Sequence, residues 1–346
     1  MLWTLLFLWS FAHAEEALNS TVCFEQNSVK ASEQKLWENP EWLGMVHYRE
    51  GWFHPVSEAD GDFFFLSPNG ASSPKEELFA TIKSLCDNLR RKTPAEKIPF
   101  IQARCQFPAR EGFLEGKGLG GWTKPECPDL EDWKRRVGSE RVHMVFSSYY
   151  ANNPSSVFGH TLLRFDRTDQ VSGMPINPLL NYGVNFAGET NTSNGVLFAI
   201  LGMTGGFKGK FASLPYYYKV REYSDFDARD LWEYELNLTP DQIQRLLNNI
   251  WEQGFSFYNY YYFTENCSYH LLTALDVAVP EYHLDRKIPY WVIPIDSVKA
   301  VSQRSPGLVK SVHFRPSLYR QFHVRSDKLR EQKLASSFYG YIDNDK

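Results

Sequence analysis

The spacing of apolar residues changes near residue 138, and this change restricts the chain to a helical part followed by a sheet. Before it, Leu78, Ile82, Leu85 and Leu89 recur at helical spacing. They follow Ser73-Pro74-Lys75-Glu76, where Ser73 suits an N-cap, Pro74 the first turn and Glu76 a capping box. Trp37 to Tyr48 reads as a short helix ending near Gly44, and Asp62 to Leu66 as a buried strand or turn. Residues 106–130, rich in Gly and Pro, read as a long ordered loop. After the change, Val142 to Tyr150, Phe158 to Phe165, Leu179 to Phe186 and Leu231 to Leu238 are β-branched and aromatic and predict strands. Leu197 to Phe211 holds two short apolar runs around Gly205-Gly206. Thr239-Pro240-Asp241-Gln242 opens a helix that stops at Gly254. A further helix runs from Cys267 to about Val279, closed by Pro280. Residues 285–324 are less regular. The fold class expected is α+β: a mostly helical unit over 20–135, a sheet-bearing unit over 138–300 and an extension over 301–346.

Hydrophobic residues make up 43% of the chain and charged residues 23%, which suits a sizeable core. A net charge of −4 gives no general electrostatic case for nucleic acid, so none is expected as a partner. The aromatic share of 16% suits half-wet surfaces that contact lipid, sugar or protein.

Residues 1–14, MLWTLLFLWSFAHA, read as a cleavable signal peptide ending in the small-x-small pattern Ala12-His13-Ala14. Export to the periplasm is expected. Val22 is too bulky before Cys23 for a lipid-attachment signal, and no later run is long enough to span a bilayer. In an oxidising compartment the five cysteines tend to pair and leave one over. Cys105 and Cys127, close together in loop-like context, are the preferred bridge, and Cys23 with Cys86 is a second pairing. Elimination leaves Cys267 free, although counting alone also allows it to be bridged or simply buried.

The Phe263-Thr264-Glu265-Asn266-Cys267-Ser268-Tyr269-His270 stretch places Cys267 in the first turn of a helix, with Asn266 or Glu265 as its cap. Helix N-termini favour thiolate, and their free N–H groups can hold an oxyanion. His160 opens a strand in Phe158-Gly159-His160-Thr161-Leu162-Leu163, where it can face a groove or sit as a satisfied core residue. His270, nearly one turn beyond Cys267, is a reserve base. Asp225, Asp227, Arg229 and Asp230 read as a solvated turn. His143, His270, His283, His313 and His323 lack metal-ligand spacing, so neither metal nor other cofactor is expected.

Four blocks resemble the Lnb N-terminal periplasmic domain family: Ser155 to Arg164, Gly202 to Gly209, Glu222 to Asn237 and Tyr258 to Tyr269. The region before them, with His47-Tyr48 and Cys105-Gln106-Phe107-Pro108-Ala109-Arg110, is similar to the helical domain often placed ahead of it. The family takes its name from a lipoprotein N-acyltransferase and resembles circularly permuted papain-like enzymes, in which histidine precedes cysteine. The resemblance implies an antiparallel sheet packed on the Cys267 helix, with Cys267 as nucleophile and His160 as base. Asn181, Tyr182 and Asn185 are candidates for a third residue orienting the imidazole. Asn181 and Asn185 share one strand parity, opposite to Tyr182, and Asn181 is preferred. The expected chemistry is a thioester on Cys267 in a thiol acyltransferase or hydrolase acting on lipid or lipoprotein acyl groups, with peripheral membrane contact. Two alternatives stand beside it. One is a cell-wall peptide amidase or peptidase of NlpC-like type, and the other a catalytically silent envelope module that binds through an aromatic rim.

Overall fold

The computed structural model describes residues 19–343 apart from 52, 62, 94–97, 151–156, 170–171, 191, 193 and 289, and the signal-peptide expectation lies outside this set. The first half is mostly helical. Helix α1 spans 19–33, α2 Pro40–Met45 and α3 Pro74–Cys86. The Ser73 side chain caps α3 by accepting the Glu76 N–H, as its motif predicts. Cys23 on α1 is bridged to Cys86 at the end of α3, and Cys105 to Cys127. About half of the expected loop over 106–130 is instead helical, and 117–127 keeps the loop character. Pro108 starts α4 (Pro108–Gly116) and Pro128 starts α5 (Pro128–Val137). Both prolines sit in the first turn, where the missing N–H costs nothing, so they start helices here and do not break them.

The second half carries a seven-stranded sheet. Its strands are β1 (Arg141–Ser147), β2 (His160–Asp166), β3 (Tyr182–Glu189), β4 (Phe207–Pro215), β5 (Leu231–Leu236), β6 (Tyr258–Tyr260) and β7 (Val309–Arg315). Their order is β6-β4-β3-β2-β1-β5-β7, and every pairing is antiparallel. The third strand starts later than its apolar run suggests. Pro178 and the Asn177 side chain, which accepts the Leu179 N–H, set a 3-10 turn over Pro178–Leu180 first. The run after Asn194 is a helix, α6 (Gly195–Thr204). Asn194 accepts the Val196 and Leu197 N–H groups, and Gly205 at φ 75° ends it in the left-handed conformation that glycine adopts without strain.

Three more helices complete the half: α7 (Pro240–Gln253), α8 (Cys267–Ala278) and α9 (Pro294–Ser302). The Thr239 and Gln242 side chains close the expected capping box of α7. A last helix, α10, covers Leu318–Asp343. Alternation along the strands separates two apolar layers. Met144, Leu163, Val184 and Phe186 pack with Leu271, Leu272 and Leu275 of α8. On the other face, Val145, Leu162 and Leu231 pack with Tyr216, Val220 and Tyr223.

The halves are joined by a buried ion network. The Arg110 guanidinium, fully buried, bridges Glu77 of α3 and Glu252 of α7. Glu252 Oε1 also accepts the N–H groups of Ala109 and Arg110 at 2.6 and 3.0 Å. A carboxylate there satisfies orphan donors at the start of α4 and complements its dipole.

Candidate functional site

Cys267 is the first residue of α8, as its sequence context predicts. Asn266 caps the helix. Its Oδ1 accepts the Ser268 and Tyr269 N–H groups at 3.0 and 3.4 Å, and its Nδ2 donates to the carbonyls of Tyr262 and Val292. Cys267 is the free cysteine, and it is buried at 3% exposure. Its sulfur receives the Thr161 hydroxyl at 3.9 Å and lies 4.0 Å from the Ser268 hydroxyl. Burial pushes this thiol up. The charge and hydrogen bonding of His160, together with Thr161, outweigh that and bring it down to about 7.

His160 opens β2, with Ser147 of β1 as its register partner. Its Nε2 is held by Asn185 Oδ1 on β3 at 2.5 Å. The preferred third residue, Asn181, is placed elsewhere. It lies just before β3, donates to Asp166 Oδ1 at 2.8 Å and accepts the Arg167 N–H at 3.1 Å. Asn185 therefore takes the place expected for Asn181. The reserve base His270 is fully buried between Phe186 and Tyr258, with neither ring nitrogen hydrogen-bonded, and burial lowers it to about 3.

Two features of the surroundings carry no sequence signal. A short helix from Tyr216 continues into a π-helical turn over Arg221–Phe226, which brings buried Tyr223 within 6.0 Å of the His160 ring. Arg229, expected in a solvated turn, is 1% exposed; it donates to the Ser148 carbonyl at 2.8 Å and lies over the Tyr223 ring. The polar residues behind the strands form a second network: Arg164 bonds Asp166 and Glu233, His143 bonds Asp166, and Tyr216 bonds Glu233.

These contacts join Cys267, His160 and Asn185 into one cluster but do not open it to a substrate. Four of the five cysteines are tied up in disulfides, and the fifth presents almost no surface. Acyl transfer requires the sulfur within about 3–3.5 Å of a carbonyl carbon, and a thiol this buried offers little approach. Helix N–H groups expected as oxyanion donors are also occupied. Asn266 takes those of Ser268 and Tyr269 with its side chain and that of His270 with its carbonyl. An oxyanion hole needs donors aimed at empty space. The expected thiol acyltransferase or hydrolase with a thioester on Cys267 is therefore corrected, and an NlpC-like peptidase would need the same open thiol. Among the described residues no group of three or more His, Cys, Asp or Glu is arranged to hold a metal ion.

The open surface lies beside this cluster. A groove of about 750 Å³ is lined by Phe146, Tyr149, Tyr150, Phe158 and Trp232. On α6, Val196, Leu197, Ile200 and Met203 are all exposed, Val196 at 73%. The α6 surface continues through the Tyr262 N–H on the Gly202 carbonyl at 2.8 Å, Phe263 against Tyr262, and Trp291 stacked on Phe263. Trp291 and its neighbour Tyr290 are exposed. Among the described residues no helix is long and apolar enough to cross a membrane.

A family model described as the Lnb N-terminal periplasmic domain matches residues 129–304, and one described as a domain of unknown function (DUF7843) matches residues 34–117. No curated protein and no solved structure matches the chain.

Proposed function

This chain belongs to the Lnb N-terminal periplasmic domain family, and on that premise we propose that it is a catalytically silent envelope module that docks on a lipid surface. The exposed apolar helix α6 carries this reading. No charged residue occurs from Thr190 to Phe207, and apolar side chains stand exposed along the helix. Ten residues of helix extend about 15 Å, half the hydrocarbon thickness, so α6 suits lying in the interface and not spanning it. Trp291 and Tyr290 beside it are the residue types that sit at headgroup level. Burying four such aliphatic side chains contributes on the order of 6 kcal/mol, enough for reversible docking.

The family name and the two disulfides support residence in the oxidising periplasm. The histidine strand ahead of the cysteine helix, with Asn185 behind the imidazole, supports a circularly permuted papain-like scaffold retained for structure. Sedimentation with phosphatidylethanolamine–phosphatidylglycerol vesicles tests the docking. Wild type and Cys267→Ala should pellet alike, and Ile200→Asp/Met203→Asp should bind at least tenfold more weakly. Wild type left in the supernatant, or a double variant that pellets as well as wild type, contradicts the proposal.

A further inference from the structure

A cavity of about 940 Å³ lies where the two family-matched halves meet, away from Cys267 and α6. Its walls come from α2 and α4 on one side and from α7, α8 and the turn after α8 on the other. The size lies in the ordinary range for small-molecule sites, about 300–1,000 Å³, and domain junctions are a preferred position for them.

Three glycines in its wall, Gly44, Gly112 and Gly116, show what the cavity requires. A Cβ at any of them would meet nothing within 4 Å, and none has positive φ. Neither close packing nor backbone geometry calls for glycine there. Glycine within a helix is less stable than alanine, so three such positions cost stability and gain only open space.

The lining is amphiphilic. Leu43, Met45, Phe113 and Val277 supply apolar wall. Arg49 and Lys117 are already paired, with Glu58 and Asp285 and with Glu41 respectively. Arg245 and Arg286 are exposed at the wall and have no carboxylate partner among the described residues. Asn248 Oδ1, also in the wall, is buried without a hydrogen-bond partner. Burial raises the Asp276 carboxyl to about 7, which reduces its repulsion of an anion. Glu50, in the same wall, is a carboxylate with no ion-pair partner among the described residues.

We propose that this interdomain cavity binds an amphiphile with an anionic head, its alkyl part against Leu43, Met45, Phe113 and Val277 and its head toward Arg245 and Arg286. Arginine forks suit phosphate and carboxylate oxygens, and the glycines leave room for the chain. The proposal stands apart from the docking of α6 on lipid.

Calorimetric titration of the full chain with dodecyl phosphate below its micelle concentration tests it. One site per chain is expected, with inorganic phosphate alone at least a hundredfold weaker. Gly112→Leu fills the cavity without a backbone clash and should weaken dodecyl phosphate at least tenfold while melting no lower than wild type. Gly44→Leu fills the same space from α2 and carries the test if Gly112→Leu does not fold. Arg245→Glu/Arg286→Glu should weaken binding at least tenfold, and Ile200→Asp/Met203→Asp should leave it unchanged. No saturable binding, or binding that survives filling of the cavity, overturns the proposal.

Discussion

At the scale of single residues, the site turns on which asparagine reaches His160. Strand parity puts Asn181 and Asn185 on one side of an extended chain, so both were legible as candidates. What separates them is where the strand begins. Asn181 precedes β3 and turns to Asp166, whereas Asn185 lies within β3 and meets the imidazole. That boundary depends on the 3-10 turn at Pro178, which apolar periodicity does not register. Asn185→Ala should move the His160 imidazole nitrogen resonances, and Asn181→Ala should leave them in place. The opposite pattern in ¹⁵N spectra would contradict the assignment. Arg229 shows the same limit of sequence. Its charge and acidic neighbours suggest a solvated turn, but ring contacts and the Ser148 carbonyl hold it inside.

At the scale of elements, legibility followed local signals. α3, α7 and α8 were readable because their caps are written in adjacent residues: Ser73, Thr239 with Gln242, and Asn266. α4 and α5 were missed because proline reads as a breaker when it in fact occupies the first turn. α6 was hidden by glycines that end it and do not interrupt it. α8 also carries a pH-sensitive element. His270 is neutral in the fold, lowered by burial from its ordinary 6.5 to about 3, with Glu58 pulling it up and His47 and Arg49 pulling it down. Between those values the unfolded chain binds more protons, so this stability is complete above 6.5 and is lost as pH falls. The loss from pH 7 to pH 5 is about 2 kcal/mol, because each tenfold difference in proton affinity is worth about 1.4 kcal/mol. Buried His47, also lowered, acts in the same direction. His270→Phe should therefore lose about 2 kcal/mol less than wild type over that interval in urea unfolding, and equal losses would contradict it.

At the scale of the whole molecule, the α+β class and the division near residue 138 follow from the change of apolar period. The junction does not, because Arg110, Glu77 and Glu252 meet across long stretches of sequence and the cavity beside them is a property of the packing. The same is true of chemistry. The sequence places a thiol at a helix start and a histidine on a strand. Whether the thiol is open, and whether the helix N–H groups are free, depends on Asn266 and the packing of β2. A folded chain that serves as a docking module keeps Cys267 sealed, and intact-mass spectrometry of the native full chain reads this directly. After incubation with phospholipid vesicles and then iodoacetamide, the native mass should be unchanged, and a single carbamidomethyl adduct on Cys267 should form only once the chain is unfolded with its disulfides intact. An acyl adduct on Cys267, or its stoichiometric alkylation in the folded protein, would contradict a catalytically silent module.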